Sequence, residues 1–306
     1  MLLFSTTVKA SSYTSNVIAS VSVGGVCFIT TTNTLVNFGN IDPTQGTPVS
    51  NDIAFADSFG NEPANILVAG TNWINEPGYG SNTFYVSNTL WNPTSASPGV
   101  GNALTLFTGF TSLFDTQLQI AAPNPSFPRT QTQLFVGVNI PGGAPAGPYT
   151  QNIVPGYSCL TYPNPFSVQN VIATANVQPA CFISLSTNAI DFGSITPTNS
   201  VPTANAVSVN DPGGNIPANI LVDAGNWISG SNTFYVSNTL WNPVTEPTYT
   251  GTPLNLAPNL VDTLIQEPAP IIANPTTSNT LYFGLAVPAA QSPGLYTQNV
   301  YIENEC

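Results

Sequence analysis

Gly80 to Pro93 reads GSNTFYVSNTLWNP, and the same fourteen letters return at Gly230 to Pro243. The chain therefore holds two copies of one unit, and the match spreads outward from this block. Val26-Cys27-Phe28-Ile29 corresponds to Ala180-Cys181-Phe182-Ile183, and Val36-Asn37-Phe38-Gly39 to Ile190-Asp191-Phe192-Gly193. PANILV at Pro63 to Val68 recurs at Pro217 to Val222, all at a spacing of 154. Toward the ends, Leu134 to Pro141 matches Leu281 to Pro288 and Tyr149 to Asn152 matches Tyr296 to Asn299, at a spacing of 147. Small loop deletions account for the drift. Cys27 maps onto Cys181 and Cys159 onto Cys306, so each unit opens and closes with a cysteine.

A chain of 306 residues fits two domains that each bury a core. Hydrophobic residues form 42% and charged residues only 5%, which argues against disorder, and no apolar run is long enough for a membrane-spanning helix. Lys9 and Arg129 are the only basic residues, so phosphates would go unneutralised and nucleic acid is excluded as a partner. There is no histidine, hence no imidazole base, metal ligand or near-neutral switch. The 14 carboxylates, among them Asp42, Glu62, Asp115, Asp211 and Glu267, stand singly without the spacing of an acid–base pair. No catalytic, metal or cofactor site is expected.

Solubility then rests on Asn, Gln, Ser and Thr, and a surface nearly free of Lys and Arg resists trypsin-like cleavage. The formal charge of −12 fades as carboxylates protonate in acid. These properties suit an extracellular setting. The four cysteines allow three pairings, of which Cys27–Cys159 with Cys181–Cys306 respects the repeat. Each such bridge closes a loop of over a hundred residues, worth about 4 to 5 kcal/mol in the chain-entropy model, and favours an oxidising compartment. The opening residues lack a cationic stretch and Leu2-Leu3-Phe4 is too short for a signal core, so an export signal is expected to have been removed before Met1.

Period-two alternation dominates the pattern. Leu134, Val136, Val138 and Ile140 alternate, a Pro/Gly turn follows, and Tyr149 to Val154 returns; the second unit repeats this through Leu281 to Val287 and Tyr296 to Ile302. Short strands punctuated by Pro, Gly and Asn predict an all-β chain of two tandem Ig-like β-sandwich domains. The expected boundaries are 1–24 for a leader, 25–160 for the first domain, 161–178 for a linker strand and 179–306 for the second domain. In the identical block, Phe84 and Val86 should point inward and Tyr85, Ser87 and Thr89 outward. A rival reading makes Trp73, Tyr85 and Trp91, with Trp227, Tyr235 and Trp241, platforms for surface glycans, with Trp91 and Trp241 as the contacts to test.

The leader carries its own signal. Asn16-Val17-Ile18-Ala19 is repeated at Asn170-Val171-Ile172-Ala173, so the duplicated unit includes the strand ahead of each domain. Upstream, Leu2, Phe4, Thr6, Val8 and Ala10 alternate. Two arrangements are open: each leader folds into its own sandwich, or each fills a groove in the preceding one, so that residues 160–176 complete the first domain and residues 1–22 a domain of the next copy. The second scheme is head to tail and does not close, so it builds a homopolymeric filament. It would also cover an exposed sheet edge.

The Cys-Phe-Ile start, Asp191 to Ile195 (DFGSI), Gly213-Gly214-Asn215, Gly225-Asn226-Trp227 and the Pro293 to Gln298 run (PGLYTQ) resemble archaeal thread-type filament subunits. More distantly they are similar to bacterial spore-coat U and chaperone-usher pilin domains. The resemblance implies an Ig-like subunit of a cell-surface filament, polymerised by an N-terminal donor strand whose Leu2, Phe4, Val8, Ala10, Tyr13 and Val17 fill the acceptor groove. Two features depart from that family: two head domains in one chain, and Asn92, Asn124 and Asn274, which have Pro in the middle of each Asn-x-Ser/Thr site. The competing function is a surface adhesin or S-layer-associated glycan-binding protein.

Overall fold

Residues 20–77, 82–124, 126–160 and 167–306 are described by a computed structural model. Strands and short 3-10 turns make up its regular structure, and among these residues no helix is long and apolar enough to cross a membrane. Two β-sandwiches follow one another along the chain. In the first, one sheet runs in the order Ile29–Thr31, Asn51–Asp57, Thr130–Val138, Thr89–Asn92, Asn102–Ala103. The facing sheet runs Leu35–Ile41, Val171–Val177, Gly147–Cys159, Ala64–Gly70, Phe114–Ile120. Alternation drives this pairing: Leu134, Val136 and Val138 are fully buried on one face of their strand and meet Ile53, Ile66 and Val68 in a single apolar core.

Val171–Val177 lies beyond the closing cysteine, yet it sits inside the first sandwich. It pairs antiparallel with Gly147 to Ile153 and parallel with Leu35 to Ile41, and among the described residues the latter strand has no other partner in its sheet. Its alternate residues Val171, Ala173, Ala175 and Val177 are at most 3% exposed. The disulfides Cys27–Cys159 and Cys181–Cys306 join the first and last strand regions within each unit.

The second sandwich keeps one five-stranded sheet: Ser184–Leu185, Ser200–Asp211, Thr277–Ala286, Thr239–Asn242, Thr252–Pro253. Its other main sheet has only Val261–Glu267, Ala218–Ala224 and Val300–Glu305. The segment equivalent to Leu35–Ile41, residues 189–195, is not strand, and the last strand begins only at Val300. Its core divides accordingly, with Trp227, Phe234 and Leu285 in a cluster separate from Val207, Ile220, Leu281 and Phe283.

The repeated block contributes one member, Thr89 or Thr239, to an internal polar relay. Trp73 Nε1 donates to Thr89 Oγ1 (2.8 Å), Thr89 Oγ1 to Gln151 Oε1 (2.7 Å) and Gln151 Nε2 to the Thr71 carbonyl (2.7 Å). In the second sandwich Trp227, Thr239, Gln298 and the Gly225 carbonyl repeat it at 2.8, 2.9 and 2.8 Å. Phe84 stacks on Trp73 and Phe234 on Trp227, both with centroids 5.5 Å apart. Phe84 and Val86 do point inward and Tyr85 outward, but Thr89 is buried, contrary to strict alternation. The 3-10 turn Val86–Asn88 shifts the phase of the chain and brings the hydroxyl inside.

Thr89→Val keeps the shape but strands the Trp73 N–H and the Gln151 carbonyl, which should cost about 1–3 kcal/mol. Thr239→Val should cost less, because the Gln298 carbonyl is only part-buried. Denaturant unfolding of the two variants, followed by tryptophan fluorescence, measures both losses.

A candidate strand-accepting groove

Where Val171–Val177 fills the first sandwich, the second has a trough. Two adjoining clefts, about 310 and about 730 Å³, share Ile190, Phe192, Trp227 and Tyr296 along their walls. Val300 and Ile302 line the smaller cleft, Phe234 and Leu295 the larger. The equivalent walls in the first sandwich are sealed: Val36, Phe38, Tyr149 and Ile153 are all buried. Ile190, Phe192, Tyr296 and Val300 are each only partly buried. Among the described residues Asp191 is the sole charged one on the trough walls. The trough thus combines apolar walls with backbone along 189–195 that has no strand partner among the described residues, and with backbone along 294–299 whose only bridge there is Thr297 to Ile228. An extended chain with small apolar residues at every second position satisfies both.

The rims are held in place by elements common to both units. Tyr149 Oη donates to the Pro145 carbonyl and Tyr296 Oη to the Ser292 carbonyl, both at 3.0 Å. Phe38 packs on Trp73 with centroids 6.1 Å apart, and Phe192 on Trp227 at 5.9 Å. Trough and filled groove are the same architecture with and without one strand.

The repeat aligns Val17, Ala19, Val21 and Val23 with the inward-facing Val171, Ala173, Ala175 and Val177. Of these, Val21 and Val23 are described, and they stand 86% and 76% exposed. Leu2, Phe4, Val8, Ala10, Tyr13 and Val17 lie outside the described residues. Alternation alone drew attention to the earliest of them, whereas matching the leader to the inserted linker strand singles out Val21 and Val23.

Trp91 and Trp241, the two indoles expected as glycan contacts, lie in the interior. They are 2% and 5% exposed, with their indole N–H groups unpaired in the interior. The exposed rings of the block are Tyr85 and Tyr235. Period-two reading could not place the indoles, because they follow the 3-10 turn.

One acidic pair comes together, but in the core. Asp211 and Glu267 are each 1% exposed; the Asp211 N–H donates to Glu267 Oε1 (3.1 Å), and Asp211 Oδ1 accepts from the Gly214 N–H (2.7 Å). Burial raises the Glu267 carboxyl above its ordinary 4.5; the Asp211 carboxylate adds to this, while hydrogen bonds from the Asp211 N–H and Asn304 Nδ2 oppose it. Burial likewise raises Asp223. Neither Asp211 nor Glu267 lines the trough. Among the described residues no cluster of Cys, Asp and Glu could hold a metal ion.

No protein-family model matches the chain, and no curated protein sequence matches it. Solved structures similar to it include a chain of the CsuC–CsuE chaperone–tip adhesion subunit complex from archaic chaperone-usher pili of Acinetobacter baumannii. That chain is 8% identical, with a TM-score of 0.43 over 91% of this chain and 100% of that one. The enterotoxigenic E. coli CFA/I adhesin CfaE is 9% identical, with a TM-score of 0.28 over 88% and 91%. A chain from the Salmonella enterica SafA pilin–SafB chaperone complex is 12% identical, with a TM-score of 0.25 over 90% and 98%.

A carboxyl raised in the folded state binds more protons folded than unfolded, so its contribution to stability grows as pH falls from neutral toward 4.5 and is flat below. Thermal melts of the wild type and Glu267→Gln across pH 7 to 4 should therefore show the difference moving in favour of the wild type with acidification. A difference independent of pH would place the carboxyl's titration outside this window.

Proposed function

We propose that the chain is a structural subunit of an extracellular, cell-surface filament that polymerises by strand donation, the segment ending at Val23 of one copy entering the trough of another copy's second sandwich. The observation that carries this reading is the position of Val171–Val177, a strand preceding one sandwich that completes another. The leader repeats its Asn-Val-Ile-Ala and its period-two alternation, and among the described residues no strand fills the same groove of the second sandwich. The donated register follows the repeat: Val17, Ala19, Val21 and Val23 inward, Ile18, Ser20 and Ser22 outward.

Physical considerations favour this assembly over two separate beads. Up to seven residues of backbone pair with both trough walls at once, and each buried valine adds roughly 1.5–3 kcal/mol. An unpaired, apolar sheet edge left in water would be a hazard for irregular association. The two disulfides and the scarcity of Lys and Arg suit a location outside the cell.

Val21→Asp with Val23→Asp places two carboxylates where the trough is apolar. Electron microscopy should show fibres for the wild type and none for the double variant. Circular dichroism should be unchanged, because both side chains are exposed in the single chain. Fibres of normal length from the double variant would refute strand donation in this register.

A further inference from the structure

The two sandwiches of one chain meet at a small joint built around Asn215. Its Oδ1 accepts from the Ala180 N–H (2.8 Å), and its Nδ2 donates to the Gln178 carbonyl and, across the joint, to the Ala144 carbonyl (both 2.9 Å). The Gly143 N–H donates to the Gly213 carbonyl (3.3 Å), and Ile272 packs on the core of the first sandwich. Thr44, Gly142 and Gly143 on one side face Gly213, Ile271 and Pro275 on the other.

Both halves of this joint recur elsewhere without a facing sandwich among the described residues. Asn61 is the counterpart of Asn215: its Oδ1 accepts from the Val26 N–H (2.6 Å) and its Nδ2 donates to the Gly24 carbonyl (3.0 Å). Beside it stand Phe59, 80% exposed at the position of Gly213, and Phe127, 66% exposed in the loop equivalent to Ile271–Asn274. At the opposite end, Thr198 and Ala290 adopt the left-handed backbone of Thr44 and Gly143, with φ of 72° and 61° against 64° and 71°. The receiving surface of the first sandwich is thus reproduced on the second.

The geometry points to a second contact between copies, separate from the donated strand: the Phe59 and Phe127 face of one copy's first sandwich seats against the Thr198 and Ala289–Gln291 end of another copy's second sandwich. It rests on the strand-donation reading, which brings these ends together. Val177 is followed by Gln178-Pro179-Ala180-Cys181, and Val23 by Gly24-Gly25-Val26-Cys27. With so short a tether, a seated strand presses the two ends into contact. The joint between copies differs from the one within the chain in one respect. Added Cβ atoms at Gly142, Gly143 and Gly213 would strike the facing backbone or Thr44, whereas the equivalent positions 289, 290 and 59 hold Ala, Ala and Phe. The surfaces between copies therefore stand farther apart, and the two phenyl rings fill the gap and bury apolar area that the single chain leaves in water.

The test replaces Phe59 in the full-length chain with a photo-crosslinking phenylalanine analogue, irradiates the assembled protein and maps the linked peptide. The expected product joins residue 59 of one copy to 196–198 or 287–291 of another, and Phe59→Ser with Phe127→Ser should lower the assembled fraction at least several-fold. Cross-links elsewhere, cross-links confined to one chain, or none would overturn the proposal. The Val21→Asp, Val23→Asp variant separates the two readings. If it abolishes fibres while wild-type cross-links map elsewhere, the strand reading stands and the end-to-end contact falls. If it assembles normally and still cross-links at 196–198 or 287–291, the contact stands and the strand reading falls.

Discussion

A β-sheet strand whose main-chain groups lack a neighbour on one side must find one, and this requirement organises the whole molecule. In the first sandwich Val171–Val177 meets it: remove that strand and Leu35–Ile41 loses its only sheet partner among the described residues, while Gly147 to Ile153 loses one of its two flanks. The second sandwich displays the outcome of that subtraction. Residues 189–195 are not strand, the last strand is shortened to Val300–Glu305, Phe192 and Tyr296 are partly open to water, and the apolar core separates into two clusters. One strand, absent from the second sandwich among the described residues, accounts for all of these differences between otherwise matching units.

What survives the subtraction is also informative. The Trp–Thr–Gln relay and the Phe–Trp stack are present in both sandwiches with nearly equal geometry, so they do not depend on the inserted strand. They pin the floor of the groove while its walls loosen. A buried tryptophan N–H satisfied by a threonine hydroxyl, itself satisfied by a glutamine, tolerates few substitutions at any position. That is a physical reason for keeping Trp73, Thr89 and Gln151 as Trp227, Thr239 and Gln298 in the second unit.

Much of this was legible in the sequence, and the rest was hidden for identifiable reasons. Strand alternation and the repeat predict the all-β architecture, and the placement of the four cysteines favours the pairing found. The phase of Thr89 and the burial of Trp91 were not readable, because a three-residue 3-10 turn resets the alternation without a Pro or Gly to announce it. The groove residues were not readable either. Ile190, Phe192, Tyr296 and Val300 have the apolar or aromatic character of their sealed counterparts Val36, Phe38, Tyr149 and Ile153, and only three-dimensional burial separates a filled groove from an open one.

Cys27 and Cys159 have a mechanical consequence. The stretch of the first sandwich that Cys27 opens is closed by Cys159 before the inserted strand begins, and the bridge makes these two points covalent neighbours, 5.6 Å apart at Cα. Tension applied between the leader and the linker therefore runs through the sulfur bridge and bypasses the 132 residues of sequence it spans. The segment between the two cysteines is out of the load path and cannot be unravelled end to end. What yields instead is the inserted strand, whose neighbours run parallel and antiparallel to it, so a pull along its axis shears its hydrogen bonds together rather than peeling them one at a time.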